Sequence, residues 1–216
     1  MQRFTPERTP TFVTTIARSS WGARALDASD IAVTSDSDAV LWRRAAEGDR
    51  SAFGLLFERH VQAVWNHAYR LTGSWAQAED VTSAAFMTGW SRRREVTLVR
   101  DSALPWFYAV VGNLARTEFR RSTRFLRAVR RVPVEETAGD HADAVVQRVD
   151  DDRRTREVAE AVRSLPKAER EAVELCLLGE VSTADAAALL GVAEVSVRSR
   201  LSRARARLRT VLEERA

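Results

Sequence analysis

Apolar residues recur at helical spacing along the chain, and no stretch keeps the strict alternation that marks a half-buried strand. The clearest example lies between Asp49 and Gly73, where Phe53, Leu56 and Val64 belong to one apolar face. An aspartate can accept hydrogen bonds from the first N–H groups of a helix, and a glycine commonly ends one. The sequence therefore predicts an all-α protein.

An acidic segment divides the predicted helices into two blocks. The first block covers residues 36–131, and its predicted helix caps are Asp36 or Ser37, then Asp49, Ser74 and Ser102. After Pro133, residues 134–152 contain seven acids and one arginine, so we expect residues 132–152 to form a flexible acidic linker. The second block covers residues 153–213. Residues 1–35 have no sustained periodicity and are expected to be a disordered extension.

The composition excludes several classes of protein. One cysteine, Cys176, cannot form a disulfide framework or a cysteine cage for a metal, and it favours a reducing cytoplasm. His60 and His67 lie seven positions apart without a third ligand nearby, so we expect two structural histidines and no metal or other cofactor. No stretch approaches the ~18–20 apolar residues that cross a bilayer, so no membrane insertion is expected.

The strongest local pattern lies between Ser182 and Leu208. It follows a helix predicted from about Lys167 to Leu178. A short alanine-rich helix, a turn at Gly191 and a long helix from about Ala193 predict a helix-turn-helix. Val197, Leu201, Ala204 and Leu208 are expected in the core, which turns the following residues to solvent: Arg198, Ser199, Ser202, Arg203 and Arg205. Residues 198–209 contain six arginines and no acid, so this helix is expected to bind DNA.

The fourth predicted helix of the first block combines aromatic and basic residues. Trp106, Phe107 and Tyr108 precede Asn113 and seven arginines. The aromatic side chains either stack on unpaired bases or fill the core, and the residues alone favour the core. Asn113 by itself is more typical of a hydrogen-bonded structural residue. No phosphate-binding loop, nucleophile elbow or paired-histidine motif is present, so we expect no enzyme.

Three segments together resemble the extracytoplasmic-function (ECF) sigma factors of bacterial RNA polymerase. They are DRSAFGLLFERHVQAVWNHAYRLTGSWAQAEDVTSAAFMTGW, ALPWFYAVVGNLARTEFRR and LPKAEREAVELCLLGEVSTADAAALLGVAEVSVRSRLSRARARL. The resemblance covers about residues 37–212 and implies a sigma domain 2, a linker and a sigma domain 4 in that order. It also implies a protein that directs core RNA polymerase to promoter DNA and promotes melting, and that an anti-sigma factor commonly restrains.

The resemblance assigns roles to individual residues. Those matching the segment that docks on core polymerase are Asp80, Val81, Phe86 and Met87. Those matching the segment that recognises and opens the −10 element are Arg100, Asn113, Arg116 and Arg120. Those matching the −35 reader are Arg198, Ser199, Ser202 and Arg203. The linker is expected to follow the path of the exiting RNA.

Two other classes stay open from the residues alone. A stand-alone helix-turn-helix regulator would use the second block to bind an operator and the first block to sense or dimerise. An arginine-rich RNA-binding protein or nucleic-acid enzyme would need an acidic or metal-binding constellation, which the sequence lacks. The first block separates the sigma factor from the regulator, because only a sigma factor needs a polymerase-binding domain.

Overall fold

The computed structural model describes residues 36–129 and 146–213. These residues form eight α-helices and one short π-helix, and they contain no strand. The helices are α1 (Asp38–Ala46), α2 (Arg50–Thr72), α3 (Trp75–Arg92), α4 (Leu104–Val129), α5 (Val146–Ser164), α6 (Lys167–Val173), α7 (Thr183–Leu190) and α8 (Glu194–Glu213), with the π-helix at Glu174–Leu178. The all-α prediction is confirmed. The expectations for residues 1–35 and for the linker up to residue 145 lie outside the described residues.

Local capping explains where the helices of the first domain begin. The Ser37 hydroxyl accepts from the Val40 N–H, and the Asp49 carboxylate accepts from two N–H groups at the start of α2. Ser74 caps α3 in the same way. Gly73 ends α2 with φ 64°, a left-handed conformation that costs glycine little. These predicted boundaries are confirmed.

The core of the first domain is built around an aromatic cluster to which each of its four helices contributes at least one ring. Trp42 of α1 and Phe53 of α2 meet edge to face, with ring centroids 6.3 Å apart. Phe86 of α3 and Phe107 of α4 lie 4.5 Å apart, and Phe107 lies 5.8 Å from Trp42. Such pairs stabilise a core beyond the area they bury. Phe107 is fully buried here, which confirms the interpretation that the aromatic residues of α4 fill the core.

Asp38 ties the first domain together through hydrogen bonds to two other helices. Its carboxylate accepts from the Ala103 N–H just before α4 at 2.8 Å and from Arg59 of α2 at 2.6 Å. It also lies 2.6 Å from His60 Nε2. One side chain at the start of α1 therefore fixes the position of two neighbouring helices.

Two elements of the second domain differ from the sequence prediction. The first helix, α5, begins at Val146 and not near Arg153, so it extends through the last part of the predicted linker. In the sequence, aspartates at 150 and 152 precede arginines at 154 and 156 by four positions, which favours a helix. The helix that begins at Lys167 continues as the π-helix Glu174–Leu178. After the π-helix, Glu180 adopts a left-handed backbone conformation with φ 55°.

The two domains pack directly against each other. Tyr108 of α4 lies in the core of the second domain, and its ring stacks on the buried His67 at 4.2 Å. Arg70 of α2 donates to the Leu178 carbonyl at 2.7 Å, and Arg163 of α5 donates to the Leu71 carbonyl at 3.2 Å. The second domain therefore covers part of α2 and the first half of α4.

Glycines allow this close approach. A Cβ on Gly112 of α4 would lie 2.8 Å from the Glu174 carboxylate of the second domain. A Cβ on Gly179 would lie 2.7 Å from the Tyr108 ring of the first domain. Real Cβ atoms essentially never come this close to another heavy atom. Any side chain at either position would therefore push the domains apart or displace its neighbour.

Candidate nucleic-acid interface

Helix α8 presents a basic face to solvent. Val197, Leu201 and Ala204 are buried in the second core, as the spacing predicts. The predicted DNA-reading residues are all exposed: Arg198, Ser199, Ser202 and Arg203. Twenty residues give α8 a length of about 30 Å, enough to lie along a major groove. The N-terminal half of this helix can therefore present hydrogen-bond donors to base edges.

The turn before α8 has the geometry that the sequence predicts. Ser182 caps α7, and Ala186 and Ala187 are buried where the two helices meet. Gly191 takes φ 63° at the end of α7, a left-handed conformation that suits a residue without Cβ. Helix α8 is therefore held against α7 at a fixed angle, as a helix-turn-helix requires.

Carboxylates of the second domain orient the arginines of α8. Arg198 is 2.6 Å from the Glu194 carboxylate, which also accepts from the Thr183 hydroxyl at 2.5 Å. These two hydrogen bonds lower the pKa of Glu194. Arg203 lies 3.4 Å from the buried Glu169 and donates to the Ser199 hydroxyl at 3.1 Å. Glu169 could not be predicted from the sequence, because its partners Arg203 and Arg207 are more than thirty positions away.

The four predicted −10 residues lie around the start and middle of α4. Asn113 and Arg120 are exposed, and Arg116 hydrogen-bonds the Asn113 side-chain oxygen. Arg116 occupies the same helical face, but its side chain is only 14% exposed because the second domain covers it. Arg100 lies in the loop before α4 with φ 61°, a left-handed conformation that is uncommon for residues other than glycine. The structure thus brings three of these residues together along one face of α4.

The acids that face this surface are the main site residues that sequence reasoning missed. Glu174 Oε2 lies 2.8 Å from an Arg116 nitrogen, and Glu171 lies 3.5 Å from the other. Asp185 of α7 lies 2.6 Å from Arg100 Nε. Burial raises the pKa of Glu174 to about 7, and the charges of Arg116 and Arg170 only partly oppose this shift. Sequence separations above fifty residues kept these pairs out of any local pattern.

The predicted polymerase-docking residues on α3 divide into two groups. Asp80 and Met87 are exposed, Met87 by 72% of its surface, and they lie on one helical face seven positions apart. Val81 and Phe86 lie in the core of the first domain, and Phe86 packs on Phe57 with ring centroids 4.8 Å apart. The prediction that Val81 and Phe86 contact a partner is corrected, because their side chains face the neighbouring helices.

The two histidines of α2 have separate structural environments. His60 contacts Asp38, whereas His67 is fully buried against Tyr108. Burial lowers the pKa of His67 to about 3, so its ring is neutral. Within residues 36–129 and 146–213, no group of three potential ligands is arranged to hold a metal ion. No helix in the same residues is long and apolar enough to cross a membrane.

Comparison with known proteins identifies both domains. Residues 56–125 match the family model for Sigma-70 region 2, and residues 155–208 match the model for Sigma-70, region 4. The ECF RNA polymerase sigma factor SigL of Mycobacterium tuberculosis (strain ATCC 25618 / H37Rv) is 30% identical over 174 residues, which cover 79% of this chain and 94% of SigL. The RNA polymerase sigma factor CnrH of Cupriavidus metallidurans is 29% identical over 183 residues, which cover 82% of this chain and 95% of CnrH.

A solved structure has the same arrangement of helices. The structure of CnrH in complex with the cytosolic domain of CnrY superposes with a TM-score of 0.59 and 25% identity, covering 84% of this chain and all of that one. The match of the first domain to Sigma-70 region 2 also argues against a stand-alone regulator, because the first domain is the part of the chain that distinguishes a sigma factor from such a regulator. The chain belongs to the sigma-70 family and is an RNA polymerase sigma factor of the ECF class.

Proposed function

We propose that this sigma factor selects promoters through two separate DNA contacts made while it is bound to core polymerase. In this proposal the second domain, residues 153–213, reads the −35 element as a duplex, and the first domain, residues 36–131, holds the melted −10 strand. The observation that carries the proposal is the exposed basic face of α8, held by a helix-turn-helix and free of acids between residues 198 and 209.

The −35 contact is assigned to Arg198, Ser199, Ser202 and Arg203. Arginine can donate two hydrogen bonds to guanine, and serine can contact a base or a phosphate. The remaining arginines of α8 are suited to phosphates and release counterions when they bind. In the free protein, Glu194 pairs with Arg198 and Glu169 pairs with Arg203. On binding, DNA phosphates would take the positions that these two carboxylates occupy.

The −10 contact is assigned to Arg100, Asn113, Arg116 and Arg120. The arginines can follow the phosphates of the unpaired strand, and the Asn113 amide can hydrogen-bond a base. Phe107 and Tyr108 at the start of α4 do not stack on bases in this proposal, since both side chains are buried.

The polymerase contact is assigned to the exposed face of α3 that includes Asp80 and Met87. An exposed methionine is typical of an adaptable protein-binding surface, and Asp80 lies on the same helical face. We further propose that the protein has no catalytic residues of its own, acts in the cytoplasm and is restrained by an anti-sigma factor. The last point is supported by the similarity to CnrH, whose structure holds the cytosolic domain of CnrY.

Transcription in vitro with purified core polymerase on genomic DNA tests the proposal, with the start sites mapped. We expect a defined set of start sites that core polymerase alone does not use. Arg203→Ala should reduce the use of these promoters, whereas Arg154→Ala removes the same charge from an exposed position on α5 and is the matched control. Unchanged start sites with the wild-type protein would overturn the proposal, and equal effects of the two variants would remove Arg203 from the −35 contact.

A further inference from the structure

The face of α8 that is assigned to the −35 element includes an exposed apolar side chain, Val195. We propose that Val195 is a specificity-determining residue, which contacts the C5-methyl group of a thymine in the major groove and so selects a T·A pair at one position of the −35 element. This inference rests on the proposed −35 contact of α8. It adds a base preference that the arginines and serines of that contact do not supply.

Val195 lies on the same side of α8 as the proposed −35 residues. Successive residues of an α-helix are about 100° apart around the helix axis, so residues four and seven positions apart nearly coincide. Ser199 and Ser202 stand at these two separations from Val195. The buried residues Val197 and Ala204 lie on the opposite side of the helix. The Val195 side chain is therefore directed away from the core and lies in line with the two serines.

Packing within the second domain does not use the Val195 side chain. Val195 is 70% exposed, whereas Val197, two positions later, is fully buried. Single apolar residues are common on protein surfaces, so exposure alone would assign no role. Val195, however, lies in the first turn of the second helix of a helix-turn-helix. Residues of this turn contact base edges when the helix enters the major groove.

Hydrogen bonds beside Val195 hold the first turn of α8 in place. The Thr183 hydroxyl of α7 and the Arg198 guanidinium both donate to the Glu194 carboxylate, at 2.5 Å and 2.6 Å. The Glu194 side chain is thereby drawn toward α7 with its charge paired, and the adjacent Val195 stays open to solvent. A contact that distinguishes one base from another requires a side chain on a rigidly held element.

The apolar side chain of Val195 favours thymine among the four bases. Thymine alone presents a methyl group in the major groove, where apolar side chains contact it. Cytosine and adenine present amino groups there, and an apolar side chain against either of them would leave a donor without a partner. Guanine presents two acceptors, which valine cannot satisfy. The preference thus combines an attraction to thymine with a cost for each of the other bases.

The helix geometry also predicts where this thymine lies. Val195 precedes Ser199 by four residues, which is about 6 Å along the helix axis. Neighbouring base pairs are about 3.4 Å apart along the DNA. The selected thymine is therefore expected within about two base pairs of the pair that Ser199 contacts.

A selection from a promoter library tests the proposal. Core polymerase carrying the full chain selects duplexes randomised across the −35 element, with the −10 element and the spacing taken from a start site mapped for the wild-type protein. Val195→Ser removes the apolar group from α8. Val158→Ser makes the same change at a 40% exposed valine on α5 and is the matched control. We expect the wild type and the control to select thymine at one position, and Val195→Ser to lose the preference at that position alone.

A second measurement removes the methyl group from the DNA instead of the protein. Deoxyuridine in place of the selected thymine lacks the C5-methyl group and keeps the hydrogen-bonding groups of the base. In competition with the unmodified duplex, it should weaken binding of the wild type and the control by about fourfold, which corresponds to about 0.8 kcal/mol for one buried methyl-sized group. It should weaken binding of Val195→Ser by less than about twofold, because groups in contact are energetically coupled. Val195→Ile keeps an apolar side chain and should retain the fourfold effect.

Three results would overturn the role of Val195. They are a wild-type selection without thymine at any position of the element, an unchanged thymine preference in Val195→Ser, and an equal effect of deoxyuridine on wild type and Val195→Ser. Misfolding does not confuse these results, since valine and serine have similar helix propensities and the side chain is exposed. The melting temperature of Val195→Ser should accordingly match that of the wild type.

Ser199→Ala in the same selection tests the −35 contact on which the inference rests. It should relax the selected sequence at the base pair that Ser199 contacts. If Ser199→Ala has this effect and Val195→Ser changes nothing, the −35 contact stands and the role of Val195 fails. If neither Ser199→Ala nor Arg203→Ala changes the selected sequences, the −35 assignment itself fails.

Discussion

Asp38→Asn should destabilise the first domain by an amount that depends on pH. Asp38 is 5% exposed and accepts hydrogen bonds from Arg59 and the Ala103 N–H, with His60 at 2.6 Å. Burial alone would raise the pKa of Asp38, but these contacts outweigh it and lower the pKa from 3.8 to about 2. A shift of this size corresponds to about 2 kcal/mol of stability. Asparagine cannot supply this stability, because its NH2 group is a hydrogen-bond donor and would face the donors of Arg59 and Ala103.

The direction of the pH dependence follows from the lowered pKa. A carboxylate with a lowered pKa in the folded state contributes its full stability above its unfolded value of 3.8 and loses it as the pH falls through about 2. We therefore expect the free energy of unfolding to differ between wild type and variant by about 2 kcal/mol at pH 6 and by about half of that at pH 3.

Urea denaturation followed by tryptophan fluorescence measures this difference, since Trp42 and Trp65 are buried in the first domain. Asp101→Asn is the matched control, because Asp101 is exposed three positions from the start of α4. The reasoning is refuted if Asp38→Asn is as stable as wild type at pH 6, or if the difference is the same at both pH values.

Substitutions at three further positions probe the two domains. Gly89→Ala should lower the stability of the first domain by about 1–3 kcal/mol in urea, because its Cβ would lie 3.0 Å from the Phe107 ring. Gly191 has φ 63° with open space around it, so Gly191→Ala should lower the melting temperature of the second domain through a backbone strain of about 1 kcal/mol. Gly191→Asn should lower the melting temperature less, because asparagine adopts the left-handed conformation more readily than alanine. Arg203→Ala should leave association with core polymerase unchanged in a pull-down and reduce the salt dependence of −35 binding by about one counterion.

The boundaries of most helices could be predicted because their causes are local. Ser37, Asp49, Ser74 and Ser182 each precede an apolar stripe, and each caps the helix that follows it. The exposed face of α8 was predictable for the same reason, since a buried stripe three or four residues apart fixes which side chains face solvent. The start of α5 was not predictable in this way. Its acidic composition favours a linker, whereas the spacing of its aspartates and arginines favours a helix.

Residues whose partners are distant in sequence could not be predicted. Asp38 pairs with residues 21 to 65 positions away, and Arg116 pairs with Glu174 across 58 positions. Val81 and Phe86 illustrate the same limit on α3: a resemblance assigns a segment to a partner, but packing decides which side chains of that segment are exposed. Only the fold brings these groups together.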